Sequence, residues 1–155
     1  MKLEGSCHCG AVTFSVDAPD AEPYLLCYCS ICRKTAGGGG YAINLFGRAS
    51  TLKVKGKKHI KVYRVRADRI ASEGPARKGA LSPARRSFCG LCGSALWVFD
   101  PRWPKLVHPF ASAIDTALPK ASSRTHIMLD YAPSWVRVPK RSSRDRHHAE
   151  FPPGG

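Results

Sequence analysis

The sequence predicts an all-β domain with few or no long helices, and two observations lead there. Apolar residues alternate with polar ones over short runs, and glycine and proline punctuate those runs. The chain has 155 residues, a length at which one core buries roughly 68–70% of the unfolded surface. A single domain over residues 1–139 is therefore expected, followed by a basic tail.

The first run is "AVTFSV", in which Val12, Phe14 and Val16 alternate with Thr13 and Ser15, as in a strand with one buried face. "YLLCYC", "YAINLF", "TLKVKG" and "HIKVYRV" follow as β-rich or apolar runs of strand length, with Gly56 as a turn between the last two. Apolar residues occupy even positions through Val62 and odd positions from Tyr63, which predicts a β-bulge or a break there. Residues 67–86 carry two prolines and two glycines and read as an exposed loop. "SALWVF", "KLVHPFAS" and "THIML" read as further strands and "YAPSW" as a turn. The tail, residues 140–155, is polar, basic and ends in Pro and Gly, so disorder or loose attachment is expected. No segment reads as a strong helix.

The formal charge is +14, but residues 1–52 are balanced, with four basic and four acidic side chains. The surplus lies beyond them, and residues 53–69 alone hold eight basic residues and one acidic. Binding of nucleic acid or another polyanion through that stretch and the tail is one reading; a solvated strand face is the other. No run of 18 apolar residues occurs and the first residues lack a signal-peptide pattern, so a soluble, cytoplasmic protein without membrane contact is expected.

In a reducing compartment, seven clustered cysteines point to metal and not to disulfides. Cys7, Cys9, Cys89 and Cys92 supply four thiolates, the number that closes a structural zinc tetrahedron, with iron as the minor alternative. Gly10 and Gly93 follow their cysteine pairs and permit tight turns. Cys27, Cys29 and Cys32 form a set of three, and three protein ligands with an exchangeable fourth distinguish catalytic zinc from structural zinc. The fourth position is open to water or a substrate thiol, or it is closed by His8, His59 or Asp68 folding back. Directly after Cys32 comes "RKTAGGGG": Arg33 and Lys34 suit the carboxylates of a small anionic substrate, and the glycines imply close approach of a ligand or a loop needing positive φ.

These motifs, C-x-C, then C-x-C-x-x-C followed by "RKTAGG", then "FCGLCGSALW", resemble the glutathione-dependent formaldehyde-activating enzyme family, which includes centromere protein V. The resemblance extends through "IDTALP" and "HIMLDYAPSW", over roughly residues 5–135. It implies an Mss4-like zinc-binding β fold and two zinc ions per chain. Cys7, Cys9, Cys89 and Cys92 would hold the structural ion, and Cys27, Cys29 and Cys32 the catalytic one. It also implies a carbon–sulfur lyase-type activity that joins glutathione and formaldehyde into S-hydroxymethylglutathione. Arg33, Lys34, Gly37 and Gly38 are the candidate glutathione contacts.

Overall fold

The structure, a computed structural model, describes residues 1–20, 24–70 and 79–150. Among them are β1 (Lys2–Ser6), β2 (Thr13–Asp17), β3 (Tyr24–Cys27), α1 (Ser30–Ala36), β4 (Ala42–Asn44), β5 (Gly47–Arg48) and β6 (Lys53–Lys55). Then follow β7 (Ile60–Tyr63), β8 (Arg85–Cys89), β9 (Ala95–Phe99), β10 (Leu106–Pro109), β11 (Arg124–Ile127) and β12 (Asp145–His147). They make three sheets, ordered β1-β2-β6, β5-β10-β9-β8-β7 and β12-β11-β3-β4. The mainly β expectation holds, and no described helix is long and apolar enough to cross a membrane.

The alternation in β2 buries Phe14 and Val16 against Leu3 of the antiparallel partner β1. Phe14 meets Trp97 of β9 edge-on at 5.0 Å, which joins the first sheet to the second. Leu26, Leu45, Leu96 and Val107 complete this core. A second apolar cluster, with Ala42, Val98, Phe110, Ile127 and Met128, surrounds Cys27 and Cys32.

The change of parity near Tyr63 is a break and not a bulge. β7 stays in regular register with β8 and ends at Tyr63; Val62 is half exposed, whereas Val65 and Ala67 beyond the break are buried. The register shift lies one strand over, where Ser87 faces Trp97 but Phe88 faces Ala95. Leu96 is the extra residue, so Leu96, Trp97 and Val98 are buried in succession. The basic stretch is not one strip either: Lys53 and Lys55 lie in the first sheet and Lys61 in the second. Part of the expected 67–86 loop, residues 71–78, lies outside the described residues. Its described ends are tied together by a bridge between Arg66 and Leu81, and Ser82 is buried.

The tail differs most from the sequence expectation. Residues 144–150 run parallel beside residues 124–130: Arg124 N–H donates to Arg144, His148 N–H to His126, and Met128 N–H to Glu150. Residues 151–155 lie outside the described set. What holds this polar strand is a buried relay. His126 is fully buried; its Nε2 lies 3.0 Å from Asp145 Oδ1 and its Nδ1 2.8 Å from the Tyr28 hydroxyl. A carboxylate only accepts, so Nε2 carries a proton, and in the neutral ring Nδ1 is then the acceptor for the Tyr28 hydroxyl. Burial is the first cause of the Tyr28 hydroxyl being pushed up to about 12, which keeps it a donor at neutral pH.

Replacing Tyr28 with Phe leaves the buried Nδ1 without a donor and is expected to cost about 1–3 kcal/mol. Ending the chain after Pro139 removes the whole strand and should lower the urea midpoint further. A truncated protein with an unchanged midpoint would show that β12 contributes nothing to the fold.

Candidate metal centres

Cys7 and Cys9 sit in the turn between β1 and β2; Cys89 ends β8 and Cys92 lies in the turn that leads to β9. Each turn is closed by its glycine onto the first cysteine: Gly10 N–H donates to the Cys7 carbonyl three residues back at 3.0 Å, and Gly93 N–H to the Cys89 carbonyl four residues back at 2.8 Å. Both glycines have left-handed backbone, φ +76° and φ +77°, which side-chain-bearing residues rarely adopt. The Val12 N–H points at Cys7 Sγ, 3.2 Å away, as expected of a sulfur that carries negative charge.

The four Sγ atoms lie within 4.8 Å of one another although the turns are about 80 residues apart in sequence. A tetrahedron with metal–sulfur bonds of about 2.3 Å has edges of about 3.8 Å. Cys7 and Cys9 are separated by 3.6 Å and Cys9 and Cys89 by 3.8 Å, so the set matches a zinc tetrahedron. Ser94 links the two turns, its hydroxyl accepting from His8 N–H at 3.0 Å and lying 3.3 Å from Cys92 Sγ. That hydroxyl is the leading cause of Cys92 being pulled down to about 5. Cys9 is pushed up to about 11; the Ala11 backbone N–H opposes the rise, which Cys7 drives.

The second set is built where β3 turns into α1. Cys27 ends β3, Cys29 caps the helix with its Sγ accepting from Cys32 N–H at 3.3 Å, and Cys32 lies on the helix. Their Sγ atoms also lie within 4.8 Å of one another, and Cys27 and Cys32 are buried while Cys29 is partly exposed. Hydrogen bonds from Cys27 and then Cys32 pull Cys29 down to about 2, while Cys27 moves up as the proton donor. Three sulfurs so close and so unequal in proton affinity form a donor set suited to a cation that replaces the shared protons.

Among the described residues no His, Asp or Glu joins this set. His8 is an exposed spacer, His59 lies in the turn before β7, and Asp68 pairs with Arg66. The three cysteines thus have no fourth His, Asp or Glu partner among the described residues.

A group that the sequence reading missed lies against the sulfurs. Arg86 on β8 donates through Nη1 and Nη2 to Cys32 Sγ at 3.6 and 3.7 Å. It occurs in "PARRS", a stretch that reads as loop, and only the pairing of β8 with β9 brings it beside Val98 and the cysteine cluster. Arg33 is half-buried with its Nε enclosed and unpartnered, and Lys34 is exposed. Gly37 ends α1 tight against Tyr41, whereas a side chain at Gly38 would meet nothing. Packing demands Gly40 as well, at φ +94°: a Cβ there would collide with Val136 and press on the Trp135 ring at 3.2 Å.

The chain matches the family described as glutathione-dependent formaldehyde-activating enzyme over residues 2–130. It is 56% identical over 152 residues to a protein of Halomonas elongata that carries the provisional name glutathione-dependent formaldehyde-activating enzyme. That match spans 98% of this chain and 90% of its relative. A crystal structure of a Rhodobacter sphaeroides protein, a structural genomics target, superposes with a TM-score of 0.56 at 26% identity. It covers 77% of this chain and 92% of that one. The chain thus belongs to the glutathione-dependent formaldehyde-activating enzyme family.

The contrast between Cys92 and Cys9 is measurable in metal-stripped protein. The thiolate is the reactive form, so at pH 7 iodoacetamide should label Cys92 well before Cys9. Labelling of Cys92 should fall only as pH drops through about 5. Ser94→Ala should move that fall to higher pH. Equal labelling of Cys9 and Cys92, read by peptide mass spectrometry, would contradict the assignment.

Proposed function

We propose that this chain joins a glutathione thiol to formaldehyde at Cys27, Cys29 and Cys32, forming S-hydroxymethylglutathione and reversing the reaction as a carbon–sulfur lyase. The observation that carries the reading is the asymmetry of the two sulfur sets. One has four cysteines, the number that closes a tetrahedron; the other has three beside an apolar cluster, and no described His, Asp or Glu supplies a fourth ligand. Family membership and the name of the Halomonas relative support the same reaction class.

In this reading Cys7, Cys9, Cys89 and Cys92 hold a structural zinc, and Cys27, Cys29 and Cys32 a catalytic one. When bound in the second set, zinc supplies a Lewis-acidic centre that favours the thiolate form of an arriving thiol at neutral pH. Sulfur attacks the carbonyl carbon, one carbon–sulfur bond forms as the C=O π bond opens onto oxygen, and that oxygen takes up a proton while the thiol proton is released to solvent.

The protein's contribution is position and environment. Cys27 is fixed by the β3–β11 and β3–β4 pairings, and Cys29 by its cap on α1. Val98, Phe110, Ile127 and Met128 pack with Cys27 and Cys32 in an apolar cluster, and such surroundings strengthen electrostatic interactions at the sulfurs. Arg33 and Lys34 meet the carboxylates of the tripeptide, and the open space at Gly38 lets its backbone approach.

Cys29→Ser is expected to bring turnover down to the uncatalysed background while circular dichroism and the unfolding midpoint stay near wild type. Cys89→Ser should instead lower the unfolding midpoint, because it opens the set that ties two hairpin turns together. Turnover of a Cys29→Ser protein shown by elemental analysis to have lost its second zinc would reject the proposal.

A further inference from the structure

One cation beside the three-cysteine set has no role in the reaction scheme. Arg86 directs both Nη atoms at Cys32 Sγ, its Nε is enclosed and unpartnered, and among the described residues no carboxylate pairs with it. A half-buried guanidinium without a carboxylate is costly unless an anion compensates it. A metal bound at the set would keep Cys32 as a thiolate, and Arg86, 54 residues away in sequence, would then lie directly against that anion.

Charge counting gives the contact a purpose. Three thiolates around a divalent ion carry a net charge of −1, and a fourth thiolate would raise this to −2 in an apolar pocket. The Arg86 charge returns the resting set to neutrality and leaves the thiol-bound set at −1. A neutral fourth ligand adds no charge and needs no such help. We infer that Arg86 is a positioning residue that sets the charge of the Cys27, Cys29 and Cys32 site, so that its open position favours an anionic thiolate over a neutral ligand. The inference rests on the proposed open site and names the device that selects its substrate class.

Cobalt(II) in place of zinc makes the test spectroscopic and independent of turnover. Full-length protein loaded with two cobalt ions is titrated with glutathione and, separately, with imidazole, following the sulfur-to-cobalt charge-transfer bands. The four-cysteine set is saturated, so spectral change reports the three-cysteine set. Arg86→Met is expected to weaken glutathione binding by about 10–100-fold, the range for removal of a partner of a metal ligand. Imidazole affinity should stay where it was. Arg86→Lys keeps a charge and loses the planar fork, so it should restore most of the preference for glutathione even if the Met variant retains metal poorly.

Equal weakening of both ligands in Arg86→Met would mean a merely structural contact and overturn the inference, as would a Lys variant no better than Met. Wild-type spectra that respond to neither ligand would remove the open-site proposal itself and this inference with it. Spectra that respond in wild type, with the preference unchanged in Arg86→Met, would remove the inference alone.

Discussion

Thiolates this close repel one another, and an arrangement that holds four sulfurs within 4.8 Å, with two of the separations at 3.6 and 3.8 Å, needs positive charge between them once they are ionised. The architecture depends on this constraint. The strands are three to five residues long, apart from the two-residue β5, and no sheet has more than five of them. Such strands cannot carry a fold through ladder hydrogen bonds alone. The Phe14–Trp97 contact joins the first two sheets from inside, and the cysteine turns join them at their ends. A metal at the four-sulfur set thus makes the β1–β2 hairpin and the β8–β9 hairpin one body, and β8 is the strand that carries Arg86 to the second set.

The two sulfur sets follow one local rule and reach different ends. In each, a cysteine pair is presented by a turn whose backbone N–H groups face sulfur. The four-cysteine set lies at the surface, with Cys9 and Cys92 exposed, and closes on itself. The three-cysteine set lies within the apolar cluster that Phe110, Ile127 and Met128 line, where an unmatched charge costs more. Met128 adopts left-handed backbone, φ 60°, and its N–H is held by Glu150. The pocket wall is therefore shaped partly by the C-terminal strand, which the Tyr28–His126–Asp145 relay fastens in place. Tyr28 lies between Cys27 and Cys29, so the residue that secures the tail is covalently part of the metal loop.

The cysteines were legible because their signal is local: spacing, a following glycine and an odd number in a sequence of this kind. β2 was legible because Phe14 and Val16 alternate with polar residues. β1 was not, since its second inward position is Gly5, whose missing side chain makes room for the Phe14 ring. β8 was hidden by Arg85 and Arg86, which look like loop until β7 and β9 flank them. β12 has no apolar pattern at all; its Asp145 is held by a buried histidine, a tertiary interaction that no window of sequence contains. Ser94 and Arg86 were missed for the same reason. Both act on cysteines brought near by folding, and neither residue type in isolation signals a metal site.

The central claim is that one sulfur set is closed and the other is open to a thiol. X-ray absorption at the zinc edge on the zinc-loaded protein, before and after glutathione, tests it most directly. Four sulfurs at one ion and three at the other give a mean of about 3.5 sulfurs per zinc, which should rise to about 4 when glutathione sulfur binds. A mean of 4 before glutathione, or a mean that glutathione leaves unchanged, would contradict the account.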